Sequence, residues 1–266
     1  MNEKKVAVVT GGTSGIGRAT ALALKDAGCT VYELSRRAEG VEGLHHISAD
    51  VTDESAVNAA VAQVIAAEGQ IDILVNNAGF GISGAIEFTS TTDARSLFDV
   101  NFFGMVNMNR AVVPLMRAAG HGRIVNLSSV AAPVPIPFQA YYSATKAAVN
   151  AYTMALANEL RPFGVTVCVV MPGDIHTGFT AARRKLSEGD DIYQGRISRS
   201  VVRMEHDEQT GMDPAKAGAY IAKVALRSGS NHPLYAIRFD YKFFAFLAKV
   251  LPARFLNWLI YLLYGK

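Results

Sequence analysis

The amino-acid sequence predicts an α/β protein built on a doubly wound parallel β-sheet, with helices on both faces. Two observations carry this prediction. Short β-branched runs alternate with longer helical patterns along most of the 266 residues, and runs such as 165–170 are apolar almost throughout. Alternating strands and helices form right-handed β–α–β units, and strands covered on both faces are apolar on both faces. Because no internal repeat, low-complexity segment or linker interrupts the pattern, we expect one domain over residues 1–238.

Seven runs have the length and the β-branched composition of strands. Turn residues or helical patterns separate each run from the next, so each run has clear ends. The predicted strands are residues 5–10, 30–34, 45–48, 71–75, 123–127, 165–170 and 233–237.

The segments between the strands have the periodicity of helices. Asp53 and Asp213 are suited to cap two of them, and Pro214 suits the first turn behind its cap. The predicted helices are residues 15–27, 53–68, 93–118, 141–161 and 214–227.

Two segments depart from this alternation. Residues 174–212 are polar and charged and have the character of a long irregular insertion, for which we expect a substrate lid. A solvated loop is the alternative. Residues 239–266 are rich in apolar and aromatic side chains and form a predicted helical extension at the C-terminus.

A glycine-rich loop connects the first predicted strand to the first predicted helix. Gly11, Gly15 and Gly17 give the pattern G-x-x-x-G-x-G. Glycines permit a sharp turn and a close approach to a pyrophosphate, and the helix N-terminus beside them offers free N–H groups. The placement favours a dinucleotide site over a plain strand-to-helix turn.

The end of the second strand indicates which dinucleotide binds. It reads Leu34-Ser35-Arg36-Arg37, with no acid at the turn. An acid there binds a ribose 2′-hydroxyl, whereas arginine accommodates a 2′-phosphate. We therefore expect NADP(H). NAD(H) stays open, because a shift of register would bring Glu33 near the ribose.

A tyrosine and a lysine form the candidate catalytic pair. Tyr142 and Lys146 are four residues apart in a helical pattern and so share one face. An ammonium group near a phenol stabilises the phenolate and lowers the tyrosine pKa. Tyr142 is then suited to exchange a proton with a carbonyl or an alcohol.

The order of the motifs along the chain resembles that of the short-chain dehydrogenase/reductase family, in its single-domain Rossmann subgroup. The resemblance covers about residues 4–237. The motifs, in order, are Thr10-Gly11 through Gly17, Asn76-Asn77-Ala78-Gly79, Asn101, Ser128-Ser129, Tyr142 to Lys146 and Pro172-Gly173.

The resemblance implies the roles of four catalytic residues. Tyr142 is the general acid or base, and Lys146 lowers its pKa and hydrogen-bonds the nicotinamide ribose. Ser129, thirteen residues before the tyrosine, polarises the substrate carbonyl. Asn101 holds a water molecule for proton relay. The implied reaction moves a hydride between the nicotinamide and a ketone or secondary alcohol, without a metal.

The resemblance also implies a set of cofactor contacts beyond Tyr142 and Lys146. They run from the pyrophosphate through the ribose phosphate and the adenosine to the nicotinamide. The expected contacts are Gly11, Ser14, Ile16, Gly17, Ser35, Arg36, Asp50, Val51, Asn77, Ala78, Gly79, Pro172, Gly173, Ile175 and Thr177.

The C-terminal extension indicates the substrate class. Residues 239–266 resemble the ends of relatives that act on steroids, retinoids and similar compounds, so we expect a small lipophilic, hydroxysteroid-like ketone or alcohol. A 3-oxoacyl thioester reductase and a non-catalytic nucleotide-binding scaffold are the alternatives. The extension itself could cover the active-site mouth, form a subunit interface or insert shallowly into a membrane. Its uncharged runs are too short to span one.

Composition narrows the remaining classes of partner and compartment. Half of the residues are hydrophobic, which excludes a disordered chain, and two cysteines are too few for a disulfide scaffold. The net charge of +3, without a basic run, argues against nucleic acid. The first apolar run is too short for a signal peptide, so we expect a cytoplasmic protein, with membrane association through the extension as the alternative. The family resemblance implies a homodimer or homotetramer.

Overall fold

The computed structural model describes residues 4–227, 229–237, 243, 246–248 and 250–266. The strands in this part of the chain are β1 (Val6–Thr10), β2 (Thr30–Ser35), β3 (His45–Ser48), β4 (Ile73–Asn76), β5 (Ile82–Ser83), β6 (Gly122–Leu127), β7 (Val165–Met171), β8 (Arg184–Lys185) and β9 (Leu234–Ala236). Seven of them form one sheet in the order β3-β2-β1-β4-β6-β7-β9, and every neighbouring pair in it is parallel. The predicted fold class is confirmed.

The helices in the described residues are α1 (Gly15–Asp26), α2 (Glu54–Glu68), α3 (Thr91–Phe98), α4 (Gly104–Ala119), α5 (Ala140–Leu160), α6 (Phe179–Ala182), α7 (Arg196–Gln209), α8 (Pro214–Ala225) and α9 (Ala253–Ile260). The predicted caps are present. The Asp53 carboxylate accepts hydrogen bonds from the Ser55 and Ala56 N–H groups, and Asp213 accepts one from the Ala215 N–H group. These bonds satisfy N–H groups that have no partner within the helix.

The sheet has an apolar core on each face. Neighbouring residues of β1 point to opposite faces: Val8 packs in the core with α2 and α4, and Val9 packs in the core with α1 and α8. Strand side chains alternate between the two faces, so a sheet covered on both sides has strands that are apolar throughout. This packing explains why the strand runs in the sequence lack polar alternation.

Two predicted elements differ from the structure. The pattern over 93–118 is not one helix, because a π-helical turn at Asp99–Phe103 separates α3 from α4. The segment 174–212 is not irregular either. It contains α6, α7 and β8, and β8 pairs with β5 in a separate two-stranded sheet.

The C-terminal extension is described only in part. The predicted boundary at residues 238 and 239 lies outside the described residues, as do residues 240–242, 244, 245 and 249. Its described end forms α9, followed by a π-helical turn at Tyr261–Gly265. Among the residues described, no helix combines the length and the apolar character that crossing a membrane requires.

Candidate active site

A cleft of about 360 Å³ lies at the carboxyl ends of β1, β4, β6 and β7. Parallel pairing brings these ends to the same edge of the sheet, and the strand order changes direction between β1 and β4. Ligands of open α/β sheets bind at such a switch point. The cleft is therefore where the fold places its chemistry.

The glycine loop forms one wall of the cleft and is packed closely against the end of β4. Gly11 and Gly15 have positive φ angles of 66° and 53°, which glycine adopts without strain. A Cβ atom on Gly17 would lie 2.3 Å from the Asn77 amide nitrogen. The Thr10 hydroxyl accepts hydrogen bonds of 3.0 Å from the N–H groups of Asn77 and Ala78. No larger residue fits this wall at Gly17.

The end of β2 carries the predicted phosphate contacts. Within the described residues, the buried Ser35 Oγ has no hydrogen-bond partner. The Arg36 side chain is 76% exposed, and its guanidinium lies 3.9 Å from the Asp50 carboxylate. Arg37, which the prediction did not assign, lines the cleft. The strand end thus carries one buried hydroxyl and two guanidinium groups, and of these residues Arg37 lines the cleft.

Glu33 is not at this strand end. Its side chain is fully buried, and its carboxylate is hydrogen-bonded to His46 Nδ1 on β3. Burial raises the pKa of Glu33, and the contact with His46 offsets part of that rise. The Glu33 carboxylate is therefore engaged inside the fold by a neighbouring strand.

Tyr142 and Lys146 lie on the first two turns of α5 and face the cleft. The Lys146 ammonium is 5.7 Å from the centre of the Tyr142 ring and donates a 3.0 Å hydrogen bond to the Leu127 carbonyl. Burial lowers the pKa of Lys146 to about 8. Burial also raises the pKa of Tyr142 to about 12, although a hydrogen bond with Ser129 works in the opposite direction.

The pKa of Tyr142 is therefore raised overall, and the lowering predicted from Lys146 does not dominate it. The reason is desolvation: removing a phenol from water disfavours its charged form. The loss of hydration outweighs the nearby charges and hydrogen bonds.

Asn101 lies in the π-helical turn behind Tyr142 and Lys146. Its side-chain oxygen accepts a hydrogen bond from the Phe80 N–H group, and its side-chain nitrogen donates one to the Phe80 carbonyl, each of 2.9 Å. Both the oxygen and the nitrogen of the Asn101 amide are thus hydrogen-bonded to protein atoms. A water molecule at Asn101 would have to bind the main chain of the turn, and π-helical turns are frequent at functional sites.

The outer end of the cleft is formed by residues that the sequence did not identify. Phe179 of α6 lies against Tyr142, with ring centres 5.8 Å apart. Met204 and Glu208 of α7 line the same region. Tyr264, near the C-terminus, also lines it. The segments were identified as a lid and an apolar extension, but no motif marks these individual side chains.

Contacts with α7 hold the C-terminus in this position. The Tyr264 hydroxyl donates a 3.0 Å hydrogen bond to the Asp207 carboxylate. Arg196 donates a 2.7 Å hydrogen bond to the Gly265 carbonyl, and its guanidinium lies over the Tyr261 ring. The end of the extension therefore packs over the mouth of the cleft.

Most of the predicted site residues meet in the cleft. Those that line it are Gly11, Ser14, Ile16, Asn77, Ala78, Gly79, Ser129, Tyr142, Lys146, Pro172, Gly173, Ile175 and Thr177. Those that lie outside its lining are Gly17, Ser35, Arg36, Asp50, Val51 and Asn101. Asp50 is engaged by Thr52, whose N–H and hydroxyl groups both donate to its carboxylate. Val51 is buried against Gly104.

Comparisons with known proteins agree with this geometry. The family model of short chain dehydrogenases matches residues 5–188. A 3-ketodihydrosphingosine reductase of Bacteroides thetaiotaomicron is 41% identical over 228 residues, which cover 85% of each chain. The crystal structure of a short-chain dehydrogenase from Streptomyces avermitilis is 33% identical, with a TM-score of 0.86 over 97% of each chain.

Solved structures similar to this chain contain either nicotinamide cofactor. The structure of ElxO with NADP bound is 27% identical, with a TM-score of 0.74 over 90% of this chain and 99% of that one. A 3-ketoacyl-(acyl-carrier-protein) reductase from Brucella melitensis, complexed with NADH, is 26% identical. Its TM-score is 0.72 over 88% of this chain and 96% of that one.

Proposed function

This chain belongs to the short-chain dehydrogenase family and is an oxidoreductase acting on keto or CH–OH groups, and we propose that it is an NADPH-dependent reductase of a lipophilic ketone. The observation that carries the proposal is the position of Tyr142 and Ser129, which line the same cleft, beside an apolar outer wall. A substrate carbonyl placed between these two hydroxyl groups would be polarised by both.

The residues present fit a nicotinamide dinucleotide. Gly11, Ser14, Ile16 and Gly17 form a close-packed loop in which a Cβ atom at Gly17 has no room. Among the described residues, Ser14 makes no side-chain cap on α1, so the N–H groups of the first turn stay available for a pyrophosphate. The bound cofactor supplies a hydride to the carbonyl carbon.

The remaining contacts of the cofactor follow the cleft. Lys146 and Tyr142 would hydrogen-bond the nicotinamide ribose. The nicotinamide end would contact Pro172, Gly173, Ile175 and Thr177, and the adenosine side would contact Asn77, Ala78 and Gly79. Asp50 and Val51, which lie outside the lining of the cleft, would border the adenine.

The protonation state of Tyr142 suits the reductive direction. A phenol with a pKa of about 12 holds its proton at neutral pH and can donate it to the carbonyl oxygen as negative charge develops. Lys146, with a pKa of about 8, lies close enough to neutrality to return a proton to Tyr142. The main chain at Asn101 is the place where a water molecule would connect Lys146 to solvent.

The preference for NADP(H) over NAD(H) rests on the end of β2. Among the described residues, the Ser35 hydroxyl has no hydrogen-bond partner and the Arg36 guanidinium is exposed, so both would serve as donors for a 2′-phosphate. The Glu33 carboxylate is engaged by His46. Replacing Arg36 with alanine should weaken NADPH binding at least about tenfold and leave NADH binding unchanged. Equal NADPH affinity before and after the substitution would show that Arg36 does not read the phosphate.

The lipophilic substrate is supported by the outer wall of the cleft. Phe179, Met204 and Tyr264 give this wall apolar surface, and part of it comes from the C-terminal extension. The 3-ketodihydrosphingosine reductase relative supports a ketone on a long aliphatic chain in particular. We extend the proposal to that class, in preference to the hydroxysteroid that the sequence suggested.

Oxidation of NADPH with a panel of ketones tests the proposal. The panel contains 3-ketodihydrosphingosine, a ketosteroid and a 3-oxoacyl thioester. We expect turnover with the long-chain ketone and a loss of at least about a hundredfold in Tyr142→Phe. Tyr141→Phe, one residue earlier on α5, is the matched control. Full activity of Tyr142→Phe would contradict the mechanism, and NADPH binding without turnover of any ketone would favour the scaffold.

Exposed apolar side chains support two association surfaces. Phe103, Met154 and Phe163, on or beside the helices α4 and α5, suit a homodimer or homotetramer interface. Phe255 and Trp258 of α9 are about half exposed and have Arg254 beside them, which suits a peripheral membrane contact. Light scattering and sedimentation with anionic vesicles would test these two surfaces.

A further inference from the structure

We propose that Glu208 and Asp174 form a subsite for an ammonium group next to the ketone, which makes the substrate a long-chain α-amino ketone. The inference rests on the proposed function and narrows its substrate class. Its basis is the distribution of charged residues along the cleft, which the net charge of the chain does not reveal.

The charged residues that line the cleft are separated by sign. Among the described residues, Arg37 and Lys146 are the cations of the lining, and Asp174 and Glu208 are its acids. Both cations lie where the cofactor is proposed to bind, one at the end of β2 and one on α5. Asp174 follows β7, among the residues proposed to contact the nicotinamide, and Glu208 lies on α7, on the substrate side. A substrate therefore meets carboxylates.

Glu208 lines the cavity, and both oxygens of its carboxylate are held by neighbouring side chains. One oxygen accepts a 2.6 Å hydrogen bond from the Thr180 hydroxyl, and the other is paired with Arg183. The Arg183 side chain is completely buried, whereas the Glu208 side chain is 14% exposed. Arg183 lies behind the glutamate, with its guanidinium over the Phe179 ring. The arginine fixes the carboxylate in place, and Glu208 is the member of the pair that lines the cleft.

The acids lie within electrostatic reach of the reacting carbonyl. The charges of Glu208 and Asp174 both act to raise the pKa of Tyr142, the proposed proton donor, whereas the charge of Arg183 acts to lower it and has a larger effect than either acid. Phe179 bridges Arg183 and Tyr142, with its ring 5.8 Å from the tyrosine ring. In an α-amino ketone the nitrogen is bonded to the carbon next to the carbonyl. A carbonyl at Tyr142 thus places the ammonium group in the field of both carboxylates.

Ketosteroids and 3-oxoacyl thioesters, the two other ketone classes considered, carry no ammonium group for these carboxylates to bind. A ketosteroid has no charged group next to its carbonyl. The 3-oxoacyl thioesters of acyl carriers bring phosphate groups, which carboxylates repel. 3-Ketodihydrosphingosine combines an ammonium at carbon 2 with a ketone at carbon 3 and a long aliphatic chain. The acids and the apolar outer wall match both parts of such a molecule.

A binding experiment tests the subsite independently of turnover. The probes are a long-chain 2-amino-1,3-diol, which is the product of the proposed reduction, and its uncharged N-acetyl derivative. Calorimetric titration with NADPH present should give at least about tenfold tighter binding of the amine to the wild-type chain. Glu208→Gln should reduce that preference severalfold without weakening the N-acetyl compound.

A control variant and a double variant complete the test. Glu205→Gln, on the same helix but paired with the exposed Lys185, should retain the preference. Because Glu208→Gln leaves the buried Arg183 without its anion, Arg183→Met/Glu208→Gln removes both charges and should also lose the preference. Equal affinity of the wild-type chain for the two probes would overturn the subsite, even if ketones are reduced. Preferential amine binding without reduction of any ketone would support the subsite and refute the proposed reaction.

Discussion

Replacing Lys146 with methionine should stabilise the protein at neutral pH. Burial lowers the pKa of Lys146 from 10.5 to about 8, so the folded state binds this proton less tightly than the unfolded chain does. The fall corresponds to about 3 kcal/mol at about 1.4 kcal/mol per tenfold change in affinity. Below pH 8 the wild-type chain carries the whole of this cost. Between pH 8 and pH 10.5 the cost disappears, so wild-type stability rises with pH.

Methionine cannot bind a proton, so position 146 contributes no pH dependence to the unfolding free energy of the variant. We expect the difference in unfolding free energy between Lys146→Met and wild type to be about 2 kcal/mol larger at pH 7.0 than at pH 9.5. The substitution also removes the hydrogen bond to the Leu127 carbonyl, and this loss lowers the unfolding free energy by the same amount at both pH values. Urea unfolding at both pH values measures the difference, with the exposed Lys223→Met as the matched control. The same difference at both pH values would refute the reasoning.

Three further substitutions have defined outcomes. Gly17→Ala places a Cβ atom 2.3 Å from the Asn77 amide nitrogen, so NADPH affinity, measured by fluorescence titration, should fall at least about tenfold. Asp53→Ala removes the cap of α2 and should lower the free energy of unfolding by about 1 kcal/mol, with unchanged NADPH affinity. Tyr264→Phe removes the hydrogen bond to Asp207 and should raise KM for a long-chain ketone severalfold, again without an effect on NADPH.

The strands could be predicted closely because their signals are local. β3 matches its prediction at both ends, and β1 and β2 differ from theirs by one residue each. Glycine turns and β-branched runs lie within a few positions of the strand they delimit. The π-helical turn at Asp99–Phe103 could not be predicted in this way, because one extra residue in a helical turn hardly changes the apolar pattern around it.

The residues of the candidate site likewise fall into those that a local sequence pattern predicts and those that it does not. Tyr142 and Lys146 share one helix, so their sequence spacing alone places them on one face. Glu208 and Tyr264 reach the cleft because α7 and the C-terminal turn pack against each other through Arg196. Such a contact joins segments far apart in the chain and leaves no periodic signal in either. The sequence therefore identified both segments as unusual but could not assign their residues to the substrate.

The same burial acts on both members of the catalytic pair, and it bears on the direction of the reaction. It raises the pKa of Tyr142 and lowers that of Lys146, so each is displaced toward its uncharged form. An uncharged phenol is ready to donate a proton, whereas oxidation of an alcohol first requires the phenolate. With a pKa of about 12, forming the phenolate at pH 7 costs about 7 kcal/mol. The carboxylates of Glu208 and Asp174 add to that cost, because they disfavour a second anion beside them, and the charge of Arg183 acts in the opposite direction. An ammonium group bound to those carboxylates offsets their effect on Tyr142, so the charge of the substrate itself would set how readily this tyrosine gives up its proton.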